Sequence, residues 1–215
     1  MEIIGTDVRP LHRRALELTT ALVDRIGRDD LGRDTPCPPW DLAALLGHLV
    51  GQNHGFAAAV AGPDDAPVAA FAPRVLTAPA ARGWRASAAR VAEAFAGADL
   101  TRPVLLVEIS QELRFPAGLA VGFHLLDTVV HGWDVAASLG LPFRPDDELV
   151  TAVLALARLV PAGPERDRPG AAFAPVLPSA PDDGDDAGWP TVLRLLGREP
   201  RAGDLATDVG VLSSG

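Results

Sequence analysis

The chain of 215 residues carries 19 basic side chains, all of them arginine, against 28 Asp and Glu, and its formal charge of −9 argues against nucleic acid as a partner. The absence of Lys and Tyr excludes Schiff-base chemistry, a P-loop lysine and a phenolic acid, so any chemistry falls to His, carboxylates, Arg, Ser/Thr, one cysteine or a bound metal. The lone Cys37 rules out an intramolecular disulfide and a four-cysteine zinc site, and fits a reducing, cytoplasmic setting.

At roughly 150 residues per domain, residues 1–200 read as one domain, with a long Pro/Gly-rich acidic loop at 161–190 and a flexible tail at 201–215. Val8, Leu11, Ala15, Leu18, Leu22 and Ile26 recur at helical steps, which predicts a first helix over 6–28. After the proline-rich turn at 35–39, Trp40 to Val60 reads as a second helix, with Asp41 favouring its positive start. Four prolines and little periodicity make 63–79 a loop. Gly83 to Phe95 is a third helix, and Val104 to Ile109 with Glu112 to Phe115 a short hairpin. Ala117 to Leu139 is a fourth helix stopped by Gly140, Pro145 to Val160 a fifth, and Thr191 to Leu196 a short last one. The most apolar run, Leu149 to Val160, is short and carries Arg158, so no membrane span is expected, nor a secretion signal at the N-terminus.

Five histidines exist: His12, His48, His54, His124 and His131. At about 100° per residue, His124, Asp127, His131 and Asp134 share one stripe of the fourth helix, between apolar flanks of Leu125, Leu126, Val129, Val130 and Trp133. A solvent face would carry Arg, Glu or Gln; two histidines and two short carboxylates favour metal ligation. Asp127 and His131, four apart, can converge on one ion, whereas His124 stands two turns, about 10.5 Å, from His131. The pair is therefore Asp127 with His131, or His124 with Asp127, and a third ligand comes from another helix. His48, in the middle of the second helix, is the best donor; His54 is read as a rim residue. Asp134 is placed to accept the ring N–H of His131 or hold an arginine. Trp40 and Trp133 are expected in the core, Cys37 as a small buried residue, and Asp182 to Asp186 as a solvated loop.

Three motifs then stand in order over residues 6–200: Thr35-Pro-Cys-Pro-Pro-Trp-Asp41 followed by His48, Asp127-x-x-x-His131-Gly-Trp-Asp134, and Leu195-Leu-Gly-Arg-Glu-Pro200. They resemble the actinobacterial branch of the DinB-like superfamily that contains mycothiol-dependent maleylpyruvate isomerase. The resemblance implies an all-α four-helix bundle with short extra helices and a small hairpin. It also implies one divalent metal, zinc first with nickel or iron(II) as alternatives, held by His48, Asp127 and His131. The family has Glu where this chain has Asp127; the shorter arm draws the ion toward the helix or admits another ligand, which keeps His124 as an alternative. The chain as read ends before the isomerase's sterol-carrier-like C-terminal domain, so metal binding is implied more directly than maleylpyruvate as substrate. Three protein ligands leave open positions, as in catalytic sites. The implied function is a mycothiol-dependent transferase or isomerase acting on a small molecule, as a monomer or homodimer. Its rivals are a hydrolase, lyase or cyclase using metal-bound water, and a non-catalytic metal-binding protein.

Overall fold

A computed structural model describes residues 6–62, 64–76, 79–168, 170–178 and 188–204. The first helix, α1 (Arg9–Val23), starts with Pro10 in its first turn, where a missing N–H costs nothing. It stops at Val23, short of residue 28, because Arg28–Asp30 form a separate 3-10 turn in which the Asp30 carboxylate accepts from Gly27 N at 2.8 Å. Helix α2 (Leu42–Ala61) is capped by Asp41, whose Oδ1 accepts from Ala44 N at 2.8 Å. Trp40 therefore lies outside the helix, with its N–H on the Cys37 carbonyl.

Within 63–79, expected as loop, Val68–Phe71 form one helical turn, α3. The cause is on the neighbouring helix. Gly47, Gly51 and Gly55 make a bare stripe along α2, and a methyl group on any of them would fall under 3.0 Å from Arg74, from Phe71 and Ala72, or from the Phe71 ring. The stripe admits the 71–74 backbone, and Phe71 is buried at 1% exposure.

Helix α4 (Ala80–Ala96) follows, then a two-stranded hairpin of β1 (Pro103–Leu105) and β2 (Arg114–Pro116), with Val104 opposite Phe115. The strands are shorter than expected, because the Leu106 carbonyl accepts from both Ile109 N and Ser110 N and turns the chain there. Helix α5 (Ala117–Leu139) ends at Gly140, whose φ of 66° is the left-handed stop that glycine accepts without a Cβ penalty. Helix α6 (Asp147–Ala157) is capped by Asp146, and α7 (Trp189–Leu195) packs on α6.

Around the bundle α1 and α2 each pack on both α4 and α5, so the chain-adjacent pairs α1/α2 and α4/α5 sit on diagonals. This is an all-α bundle with a small hairpin. Fully buried Trp84, Trp133, Phe95, Leu45, Leu46, Leu49 and Leu125 fill it. In the segment 161–190, Arg166 is buried and donates to the carbonyls of Pro161 at 2.7 Å and Leu195 at 2.6 Å, tying that loop to α7. The acidic run Asp182 to Asp186 and residues 205–215 of the tail lie outside the described residues. Among the described residues, no helix is long and apolar enough to cross a membrane.

Candidate metal centre

Two bundle helices and one loop build the site. Helix α5 contributes Asp127 and His131 from one face, and α2, packed on α5, brings His48 opposite them. His48 Nε2 lies 3.6 Å from Asp127 Oδ1, and His131 Nε2 lies 3.4 Å from that same oxygen. The three donor atoms fall within 4.8 Å of one another. A tetrahedral ion with Zn–N and Zn–O bonds near 2.0–2.2 Å sets its ligand atoms about 3.3–3.5 Å apart. Asp127 Oδ1 already stands at nearly that spacing from each of the two histidine nitrogens. His48 and Asp127 are 18% and 21% exposed at the side chain and His131 only 5%, so the cluster opens on the His48/Asp127 side.

Charge is arranged to keep Asp127 ionised. Burial pushes its carboxyl upward, but His131, the hydrogen bond with His48 and that ring's charge outweigh burial and hold it well below the usual carboxylate range. For His48, burial works against the proton while the Asp127 hydrogen bond, its charge and that of Glu108 work for it, and the net direction is up.

His131 is oriented from behind. Its Nδ1 donates to Asp134 Oδ2 at 2.8 Å, which leaves the Nε2 lone pair for the cluster. Asp134, fully buried, is met in turn by Arg198: Nη2 donates to Oδ2 at 3.0 Å and Nε to Oδ1 at 3.4 Å. Asp134 thus both accepts the ring N–H and holds an arginine. Arg198 comes from the Leu195-to-Pro200 motif, just after Gly197, whose φ of 75° and close approach to Ala174 admit no side chain. Sequence reasoning assigned Arg198 no role; its one signal was its place in that motif.

Cys37 lies beside this network, with Arg198 Nη2 3.6 Å from its sulfur, and burial pushes its thiol up. Its sulfur also falls within 4.8 Å of ligand atoms on His131 and Asp134. That trio already encloses the Arg198 guanidinium and uses His131 Nδ1 as a donor, so it is a hydrogen-bonded network and not a cation site. Thr35 shapes the loop by donating to the Trp40 carbonyl at 2.8 Å and accepting from Cys37 N at 3.1 Å.

Trp133 is buried as expected and donates to Asp204 Oδ2 at 2.9 Å. Trp40 departs from its expected core position. It is half-buried and lies over the imidazoles, with ring centroids 4.6 Å from His48 and 6.1 Å from His131. His54 is half-buried. His124 stands apart from the His48, Asp127, His131 trio and pairs with His12 of α1, His12 Nε2 to His124 Nδ1 being 2.9 Å.

Residues 12–136 match the mycothiol maleylpyruvate isomerase N-terminal domain family. The chain belongs to this family. The matched span carries all three converging donors and ends before Arg198, so the anchor behind His131 enters from outside it. An uncharacterized protein of Mycobacterium tuberculosis, found alike in two strains, is 33% identical over 170 residues, covering 78% of this chain and 86% of the relative. Among solved structures, a histidine-to-alanine mutant of mycothiol-dependent maleylpyruvate isomerase superposes with a TM-score of 0.55 at 14% identity, over 72% of this chain and 68% of that one. At that identity the likeness speaks for the fold alone.

Proposed function

We propose that this protein binds one divalent metal ion, zinc in the first instance, through His48 Nε2, Asp127 Oδ1 and His131 Nε2. On this reading it is a metalloenzyme that uses mycothiol in a transfer or isomerisation of a small molecule. The observation that carries the reading is the spacing of the three donors, together with an exposed side on which a further ligand fits. Two neutral imidazoles and one carboxylate leave a divalent ion net positive, which favours the thiolate form of a thiol at neutral pH. The remaining residues hold this arrangement. Asp134, secured by Arg198, fixes the tautomer and plane of His131. Trp40 covers the His48 ring and limits water on that face. Mycothiol is supported by the family's description. A cytoplasmic setting accords with the free Cys37 thiol and a reduced low-molecular-weight thiol.

The test is the cobalt-substituted protein titrated with mycothiol. Thiolate coordination is expected to add a sulfur-to-metal charge-transfer band. No band, with thiol-independent turnover of an identified substrate, would replace this reading with a hydrolase, lyase or cyclase using metal-bound water.

A further inference from the structure

One turn along α5 from Asp127, the ring of His124 is 1% exposed and enclosed by aromatic edges, with centroids 4.9 Å from Phe56, 5.6 Å from Phe95 and 5.0 Å from His12. Two buried polar atoms on this stretch of helix have no hydrogen-bond partner among the described residues: His124 Nε2 and Asp127 Oδ2. Orphans of this kind are rare in folded proteins and call for a ligand or a water. Both lie on the stripe that carries the metal centre, three residues apart, and they do not reach each other directly. Asp127 also divides its oxygens by direction. Oδ1 faces His48 and His131, and Oδ2 is turned into the protein.

We propose that His124 is a positioning residue and not a ligand. Its Nε2–H, held in place by His12, donates through one buried water to Asp127 Oδ2 and so keeps Oδ1 aimed at His48 and His131. The inference deepens the metal-site reading and rests on it for its consequence, though the hydrogen-bond arrangement is testable without metal.

Proton counting fixes the tautomer. In a neutral His–His pair a single hydrogen lies between the rings, so either His12 Nε2–H donates to His124 Nδ1 or His124 Nδ1–H donates to His12 Nε2. Thr128 Oγ1 is 3.2 Å from His124 Nδ1, but its hydroxyl donates to the His124 carbonyl at 2.7 Å and leaves the choice open. The other end of the ring decides. If Nδ1 carried the hydrogen, Nε2 would be a bare buried lone pair on the ring one turn from the ionised Asp127, whose charge acts on it, with no donor supplied by the described residues. With the hydrogen on Nε2, the ring presents a donor to that carboxylate. A water between them has two partners, within the two to four that hold buried waters. Burial keeps the pair neutral: it pushes His12 well below its ordinary value and His124 down to about 4.

Two measurements test this on the full chain. Long-range nitrogen–proton correlation on histidine-labelled, metal-free protein at pH 7 is expected to show both His12 and His124 as Nε2–H tautomers. An Nδ1–H tautomer at His124 overturns the proposal. The second is zinc affinity by competition, with the cobalt ligand-field spectrum. His124→Phe is expected to weaken binding by about 10- to 100-fold, the usual effect of losing an outer partner of a ligand, and to alter the cobalt bands. His124→Gln, which restores an N–H near the Nε2 position, is expected to recover most of both. An unchanged affinity in His124→Phe, or loss of metal as complete as in His131→Ala, overturns it. Should His124→Phe fail to fold, His12→Phe serves in its place: it removes the partner of His124 Nδ1 and is expected to weaken zinc binding while His124 stays an Nε2–H tautomer, and an unchanged affinity or an Nδ1–H ring there overturns the proposal. A wild-type chain that binds no metal defeats the proposed function, while the tautomer measurement still decides the arrangement at His124.

Discussion

Helix α5 carries two histidine centres, and they differ in nearly everything except residue type. At His131 the ring has carboxylates on both sides, Asp127 toward the opening and Asp134 behind, with Arg198 closing the network. At His124 the ring has another imidazole, two phenylalanines and, among the described residues, no carboxylate within hydrogen-bond reach. The proton balance follows. His48, opposite Asp127, is pushed up in spite of burial, while His124 is pushed down to about 4 because desolvation meets little opposition. A histidine on a mostly buried helix is thus made a ligand or a neutral donor by what the neighbouring helices place against it. Here α2 supplies His48 to one centre and α1 supplies His12 to the other.

The largest effect expected from disturbing this contrast is at the open centre. His131→Ala or His48→Ala should reduce bound metal in the purified protein from near one equivalent to background by elemental analysis, and Asp127→Ala should do nearly the same. His124→Ala should lose far less. Equal metal content across the four variants would erase the distinction between the centres.

The next effect separates stability from ligand orientation. Asp134→Ala leaves the Arg198 charge buried without its carboxylate, and should destabilise the fold by about 3–5 kcal/mol in denaturant unfolding. The double variant Asp134→Leu/Arg198→Met removes both charges and should recover most of that stability. It should not recover metal affinity, because His131 Nδ1 still lacks its acceptor. A double variant with wild-type zinc affinity would show that Asp134 acts only on folding.

The smallest effect concerns protons. His124 has a folded value near 4 against an ordinary 6.5, so the unfolded chain binds the extra proton first as pH falls. The contribution is complete above about pH 6.5, declines between there and about pH 4, and amounts to about 3 kcal/mol over that window. His48 works with the opposite sign: being raised, its contribution is present below the ordinary value and is lost as pH rises through its folded value. The test is the difference in unfolding free energy between the wild-type protein and His12→Leu/His124→Leu, both metal-free, from pH 7 to pH 4.5. The difference should shrink with acidification; a constant difference would mean that the pair is not held neutral by burial.

Local patterns in the chain were sufficient for the existence of the long helices, though not for every boundary or for the turn α3. Periodic apolar positions, Asp41 and Asp146 as caps and Gly140 as a stop are interactions within a few residues, and α5 begins and ends at the expected Ala117 and Leu139. The stripe of His124, Asp127, His131 and Asp134 was legible for that reason, and motif order brought His48 to it. What no spacing could decide is which groups meet across helices. The turn α3 forms because Gly47, Gly51 and Gly55 leave room on α2, a fact about a surface. Trp40 faces the imidazoles because Asp41 starts the helix one residue after it and Thr35 closes the loop. Arg198 reaches Asp134 across 64 positions of chain, and His12 reaches His124 across 112. Helical geometry is set by bonds four residues apart and shows in the sequence, whereas a buried charge or imidazole takes its role from partners that only packing brings within 3 Å.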